Sequence, residues 1–183
     1  MRRTSLLSRA SRVLACLLGC ATSVSACFAE GLPERTAQMK AAYVFNFLKF
    51  VEWSSHSPPN TIDVCFRGGS EVRNALALSA ADKTIGARRI VVRSLRDHEP
   101  TSACQVLFLD SAASQSVGIG MPLDTLTIGE SKTFTQGGGV IGLYTDSNRL
   151  RFTINTGNAK RANVQISSNL LKLASSVQQE PTP

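Results

Sequence analysis

Segments of strand and helix character alternate through most of this 183-residue chain, and the last third opens on a β-hairpin and closes on an apolar helical stretch. That alternation, with the Gly-Gly turn between one strand and the helix after it, predicts an α/β protein. The expected form is a single layered domain with a central mixed β-sheet, flanked by helices and ending in a C-terminal β-hairpin plus helix.

The first residues read as a leader. Arg2, Arg3, Arg9 and Arg12 precede an apolar run from Val13 to Ala26, followed by Cys27-Phe28-Ala29, and no acidic residue occurs before Glu30. A positive flank, a short apolar run and a small-residue exit are the parts of a secretory signal peptide. The run is too short, and too broken by small polar groups, for a membrane-spanning helix of roughly 20 residues. Cleavage between Ala29 and Glu30 is expected. Val24-Ser25-Ala26-Cys27 also fits a bacterial lipobox, so the alternative is a lipoprotein anchored through Cys27. The predicted organisation is a signal peptide over 1–29, a periplasmic domain over 30–177 and a disordered tail over 178–183.

Removing the leader changes the charge. The full chain carries 20 basic and 13 acidic side chains; the leader takes four arginines and no acid, leaving 16 against 13. This is an ordinary surface, with no basic run interleaved with aromatics, and nucleic-acid binding is excluded. Arg88-Arg89-Ile90-Val91-Val92-Arg93 alternates like a strand with solvated edges.

The first element after the leader reads as a helix. Pro33-Glu34-Arg35 suits a first turn, Met39, Tyr43, Phe47 and Phe50 recur at helical spacing, and Val44, Leu48 and Val51 cover the other flank. Trp53 ends it, and Ser57-Pro58-Pro59-Asn60 breaks the chain. A strand follows at Thr61–Phe66, then the turn Arg67-Gly68-Gly69, with Ser70 as N-cap for a helix over Glu71–Ala80. Arg88–Leu95 and Cys104–Leu109 are the next strands. Ser111–Val117 is a short crossover and Asp124–Ile128 a fourth strand. Gly137-Gly138-Gly139 leads into Val140–Tyr144, and Thr145–Asn148 is a four-residue connection to Arg149–Asn155. Asn158–Val177 completes the domain as a helical region.

Two cysteines, Cys65 and Cys104, remain after the leader, both in apolar, strand-like settings. An oxidising compartment allows them one disulfide, stabilising by roughly 4 kcal/mol for a loop of about 40 residues; two buried free thiols are the alternative. No metal site is expected: His56 and His98 lie in polar loops and there is no Cys-x-x-Cys. No cofactor is expected either, since the strand–Gly-Gly–helix unit lacks both phosphate-loop patterns. Nor is a catalytic constellation legible, and the chain reads as a non-enzyme. Asp63 is expected to face solvent, Asp110 to cap the turn after its strand, and Ser131-Lys132 to sit in a turn.

Taken in order, the segments resemble a family. Lys40–Trp53 (KAAYVFNFLKFVEW) is similar to the opening helix of the YfiR-like periplasmic proteins. The likeness continues through Ile62-Asp63-Val64-Cys65, Cys104–Leu109, Leu126–Gly129, Gly137–Ile141, Phe152–Asn155 and Ile166–Ala174, spanning roughly residues 36 to 177. The resemblance implies a periplasmic repressor of a membrane-anchored diguanylate cyclase, binding the cyclase's periplasmic domain and acting in cyclic di-GMP signalling and biofilm control. It implies a homodimer, and release by sequestration on an outer-membrane lipoprotein or by redox stress. Cys65 and Cys104 match a structural disulfide of that family. A second cysteine pair, found in the late hairpin of some members, is missing here. The competing reading is a periplasmic small-molecule-binding protein of another signalling or transport system, with a cleft near Gly137–Gly139.

Overall fold

The computed structural model describes residues 31–53, 60–69, 71–96, 98–115 and 122–179. The expected cleavage site, Cys27, His56, the Pro58-Pro59 break and the Ser70 cap lie outside them.

Helix α1 (Leu32–Leu48) begins with Pro33 in its first turn, where a missing N–H costs nothing, and with Glu34 against the positive helix end. It stops earlier than its apolar pattern suggests. Phe50 donates to the Phe47 carbonyl, and Val51–Trp53 leave as strand β1. The reason is tertiary: β1 pairs antiparallel with β9 (Val164–Ile166), Val51 opposite Ile166 and Trp53 opposite Val164. Trp53 Nε1 donates to the Gln105 carbonyl at 3.0 Å, and the Arg88 guanidinium stacks over its ring. Partial burial lowers the Arg88 pKa from its ordinary value.

The central sheet has eight strands: β2 (Thr61–Arg67), β3 (Thr84–Ile85), β4 (Arg88–Leu95), β5 (Val106–Leu109), β6 (Leu126–Gly129), β7 (Ile141–Asp146), β8 (Arg149–Asn155) and β10 (Ser176–Gln178). Their spatial order is β10-β8-β7-β6-β5-β2-β4-β3. The run β4-β2-β5-β6-β7 is parallel, while the β3–β4 and β7–β8 pairs are antiparallel, so the sheet is mixed as the sequence predicts. The chain leaves β2 through α2 (Glu71–Ala80) to reach β4 on one side, then returns to β5 on the other. This reversal makes the C-terminal ends of β2 and β5 a topological switch point.

Both faces of the sheet are covered, by different means. Ile62, Val64, Phe66, Val106, Phe108, Leu126, Ile128, Ile141, Leu143 and Ile154 form one core with the buried sides of α1 and α2. Phe47, Tyr43 and Phe152 meet edge-to-face there, in contacts of about 0.5–1.5 kcal/mol each beyond burial. The opposite face carries Cys65, Leu95, Cys104, Leu107, Leu109 and Phe134 as a second cluster. Around it the inward residues are small and polar. Thr127 Oγ1 accepts from the Val140 amide, and Thr135 and Thr153 pair hydroxyl to hydroxyl.

Three further expectations change, and one strand is added. The Asn158–Val177 helix is instead α4 (Thr156–Arg161), β9, α5 (Ser168–Leu173) and β10. Asn163 sits at φ 55°, which ends the helical path, and Ser167 caps α5 through the Leu170 amide. The hairpin connection is two residues rather than four. Ser147 and Asn148 both take positive φ (49° and 59°), as a type I′ turn requires, and its twist lets Asp146 pair with Arg149. Gln178, read as tail, is the last residue of β10, which pairs in parallel with β8. Thr84–Ile85 adds a short edge strand that its two-residue length hid.

Candidate functional site

The ends of the parallel strands gather the groups with chemical capacity. Gly68 and Gly69 follow β2, Asp110 and Ser111 follow β5, Glu130 follows β6, and Lys40 reaches in from α1. Gly68 takes φ 100°, and a Cβ there would lie 2.0 Å from Asp110 Oδ2, so only glycine lets the carboxylate come this close to β2. Leu32, Pro33, Thr36 and Val72 wall the crevice beside them.

Two carboxylates of the crevice, Asp110 and Glu130, have structural employment. Asp110 Oδ1 accepts the Ala113 amide at 2.9 Å, capping α3 (Ser111–Gln115) as expected from sequence. Glu130 Oε2 accepts the Ser111 amide and hydroxyl, while Oε1 meets Lys40 Nζ at 2.8 Å. Sequence reading missed the Lys40–Glu130 pair, because nothing local relates residues 90 apart. The one available signal was position: an acid directly after a parallel strand lies where α/β sheets place their sites.

The other candidate residues stay apart. Asp63 does not face solvent freely: Oδ1 pairs with Arg93 Nε at 3.2 Å and Oδ2 accepts the Thr61 hydroxyl. Ser131 and Lys132 occupy a turn, Ser131 bonded to the Thr133 hydroxyl and Lys132 set over the Tyr144 ring. His98 is at φ 65° in a loop. Among the described residues no cluster of three or more His, Cys, Asp or Glu could hold a metal, and no helix is long and apolar enough to cross a membrane.

Cys65 and Cys104 are joined by a disulfide, with Cα atoms 5.8 Å apart and both residues buried. It ties β2 to the segment entering β5, and Arg93 Nη2 lies 3.9 Å from the Cys65 sulfur. The Gly137–Gly139 loop offers no open cleft at its last glycine. Phe134, 2% exposed, fills that space: a Cβ on Gly139 would lie 2.0 Å from its ring, and one on Gly129 2.4 Å. Asn158 Nδ2 donates to the Thr135 and Gly139 carbonyls and fastens the loop to α4.

The arrangement defines an α/β domain whose charged groups cap, pin and orient. The chain belongs to the YfiR/HmsC-like family, whose sequence profile matches residues 37–175. That family comprises periplasmic regulators of diguanylate cyclase signalling and is regulatory rather than catalytic. No curated protein is significantly similar to the chain. Among solved structures it is similar to a conserved domain protein from Vibrio cholerae, at 15% identity and a TM-score of 0.47, over 78% of this chain and 60% of that one. The chain thus spans about three-fifths of that protein's length.

Proposed function

We propose that this protein is a non-catalytic periplasmic regulator that represses a membrane-anchored diguanylate cyclase by binding its periplasmic domain. The family match over residues 37–175, almost the whole described domain, carries this reading. The buried Cys65–Cys104 disulfide suits an exported protein. Asp110 and Glu130 at the switch point are engaged in capping and in an ion pair, which favours a binding role over chemistry.

A regulator of this kind acts by linkage: it binds the inactive form of the cyclase better than the active one. A differential affinity of about 5.5 kcal/mol takes a two-state target from 1:99 to 99:1. The repressor acts as a homodimer and is relieved by capture on an outer-membrane lipoprotein. Phe134, packed where the Gly137–Gly139 cleft would open, weighs against the small-molecule-binding alternative.

Deletion decides the matter. Loss of the protein should raise cyclic di-GMP and biofilm, and the rise should vanish when the cognate cyclase is deleted too. Unchanged cyclic di-GMP in the single deletion, with the cyclase expressed, refutes repression.

A further inference from the structure

β4 carries an open edge on the central sheet. Its inner side pairs with β2 from Arg89 to Leu95. On its outer side β3 covers only Arg88 and Arg89, and among the described residues no strand pairs with Ile90–Leu95. The Arg89 amide donates inward to the Asn60 carbonyl. Because a parallel ladder uses every second residue, Arg89, Val91, Arg93 and Leu95 serve β2. The N–H and C=O groups of Ile90, Val92 and Ser94 therefore point outward. An edge of this length is a template for another strand.

Its flanks are basic. Arg89 and Arg93 stand on the sheet face away from the helices, and Arg73 of α2 reaches the edge from the helix side, donating to the Ser94 hydroxyl. Of the three, Arg93 has an acidic partner, Asp63, and its side chain is still 40% exposed. Arg89 is exposed and makes no ion pair among the described residues. A second copy adding antiparallel through the same edge would set arginine opposite or diagonal to arginine on one face, which is unfavourable. Ile90 and Val92, half-buried on the other face, offer apolar contact to alternate side chains.

We infer that the outer edge of β4 is a docking site for an extended acidic segment of a partner protein. The segment adds as a strand to Ile90–Ser94, with acidic side chains toward Arg89 and Arg93 and apolar ones toward Ile90 and Val92. Backbone hydrogen bonds supply binding and the arginines supply selectivity. The edge selects its partner by this chemistry whether or not that partner is a cyclase.

The test uses the purified exported protein and two blocked decapeptides, one alternating valine with glutamate and one alternating valine with lysine. The glutamate peptide should shift the amide resonances of residues 88–96 and slow hydrogen exchange at Ile90, Val92 and Ser94. The lysine peptide should bind at least about tenfold more weakly. Arg89→Glu should reverse that preference. Val92→Pro should abolish binding, since it deletes an outward N–H without touching the ladder to β2. Should the proline variant fail to fold, the charge reversal at Arg89, an exposed site, still decides. Equal binding of the two peptides, shifts outside residues 88–96, or no binding would overturn the proposal. So would dimerisation abolished by Val92→Pro, which would make a second copy the occupant.

Discussion

Lys40 Nζ lies 2.8 Å from Glu130 Oε1, joining the first helix to the end of β6 across 90 residues of sequence. The pair is mostly shielded from water, with side-chain exposures of 19% and 10%. Glu130 holds the start of α3 with its other oxygen. One carboxylate therefore sets the positions of two helices over the switch point.

This predicts unequal losses on the two sides of the pair. Lys40→Ala should cost about 1 kcal/mol and Glu130→Ala about 2 kcal/mol, because the second change also removes the bonds from the Ser111 amide and hydroxyl that hold the start of α3. Urea unfolding of both single variants and the double variant measures the coupling. Equal losses would mean that the cap on α3 contributes nothing.

Glycine spacing around Phe134 is the second point of sensitivity. Gly139→Ala should destabilise by about 1–3 kcal/mol, because its Cβ meets a buried ring with nowhere to move. Gly69→Ala, whose Cβ meets nothing within 4 Å, should stay within about 0.5 kcal/mol of the parent. Thermal unfolding of the two variants side by side tests the contrast.

The type I′ turn leaves room for improvement. Asn148→Gly at φ 59° should raise stability by about 0.5 kcal/mol, since glycine adopts positive φ without steric cost. Asn148→Val should lower it, as a branched side chain resists that conformation. Denaturant midpoints for the two variants check both signs.

Replacing Cys65 or Cys104 by serine should cost about 2–5 kcal/mol, because a loop spanning 39 residues becomes free in the unfolded chain. Thiol titration of the denatured parent should find neither cysteine free. A Cys65→Ala, Cys104→Ala double variant that folds should still repress. Derepression by a folded double variant would make the pair a switch rather than a brace.

Local chemistry in the sequence determined much of this protein. The apolar, strand-like runs around Cys65 and Cys104, the Gly68-Gly69 turn and the period of α1 foretold an α/β sheet with helices, because strands buried on both faces read as near-continuous apolar runs and helices keep their own period. The Asp110 cap was legible for the same reason: its partner is three residues away. Tertiary structure decided the rest. Val51–Trp53 and Val164–Ile166 continue helical patterns on paper and become strands because each supplies the other's hydrogen bonds. Val177 reads as the end of a helix and Gln178 as the start of a tail, yet both are held by β8. The Lys40–Glu130 pair follows from how α1 packs over the sheet, and the edge of β4, open among the described residues, follows from strand order. Contacts between distant residues are chosen by the whole packing, and no local spacing records them.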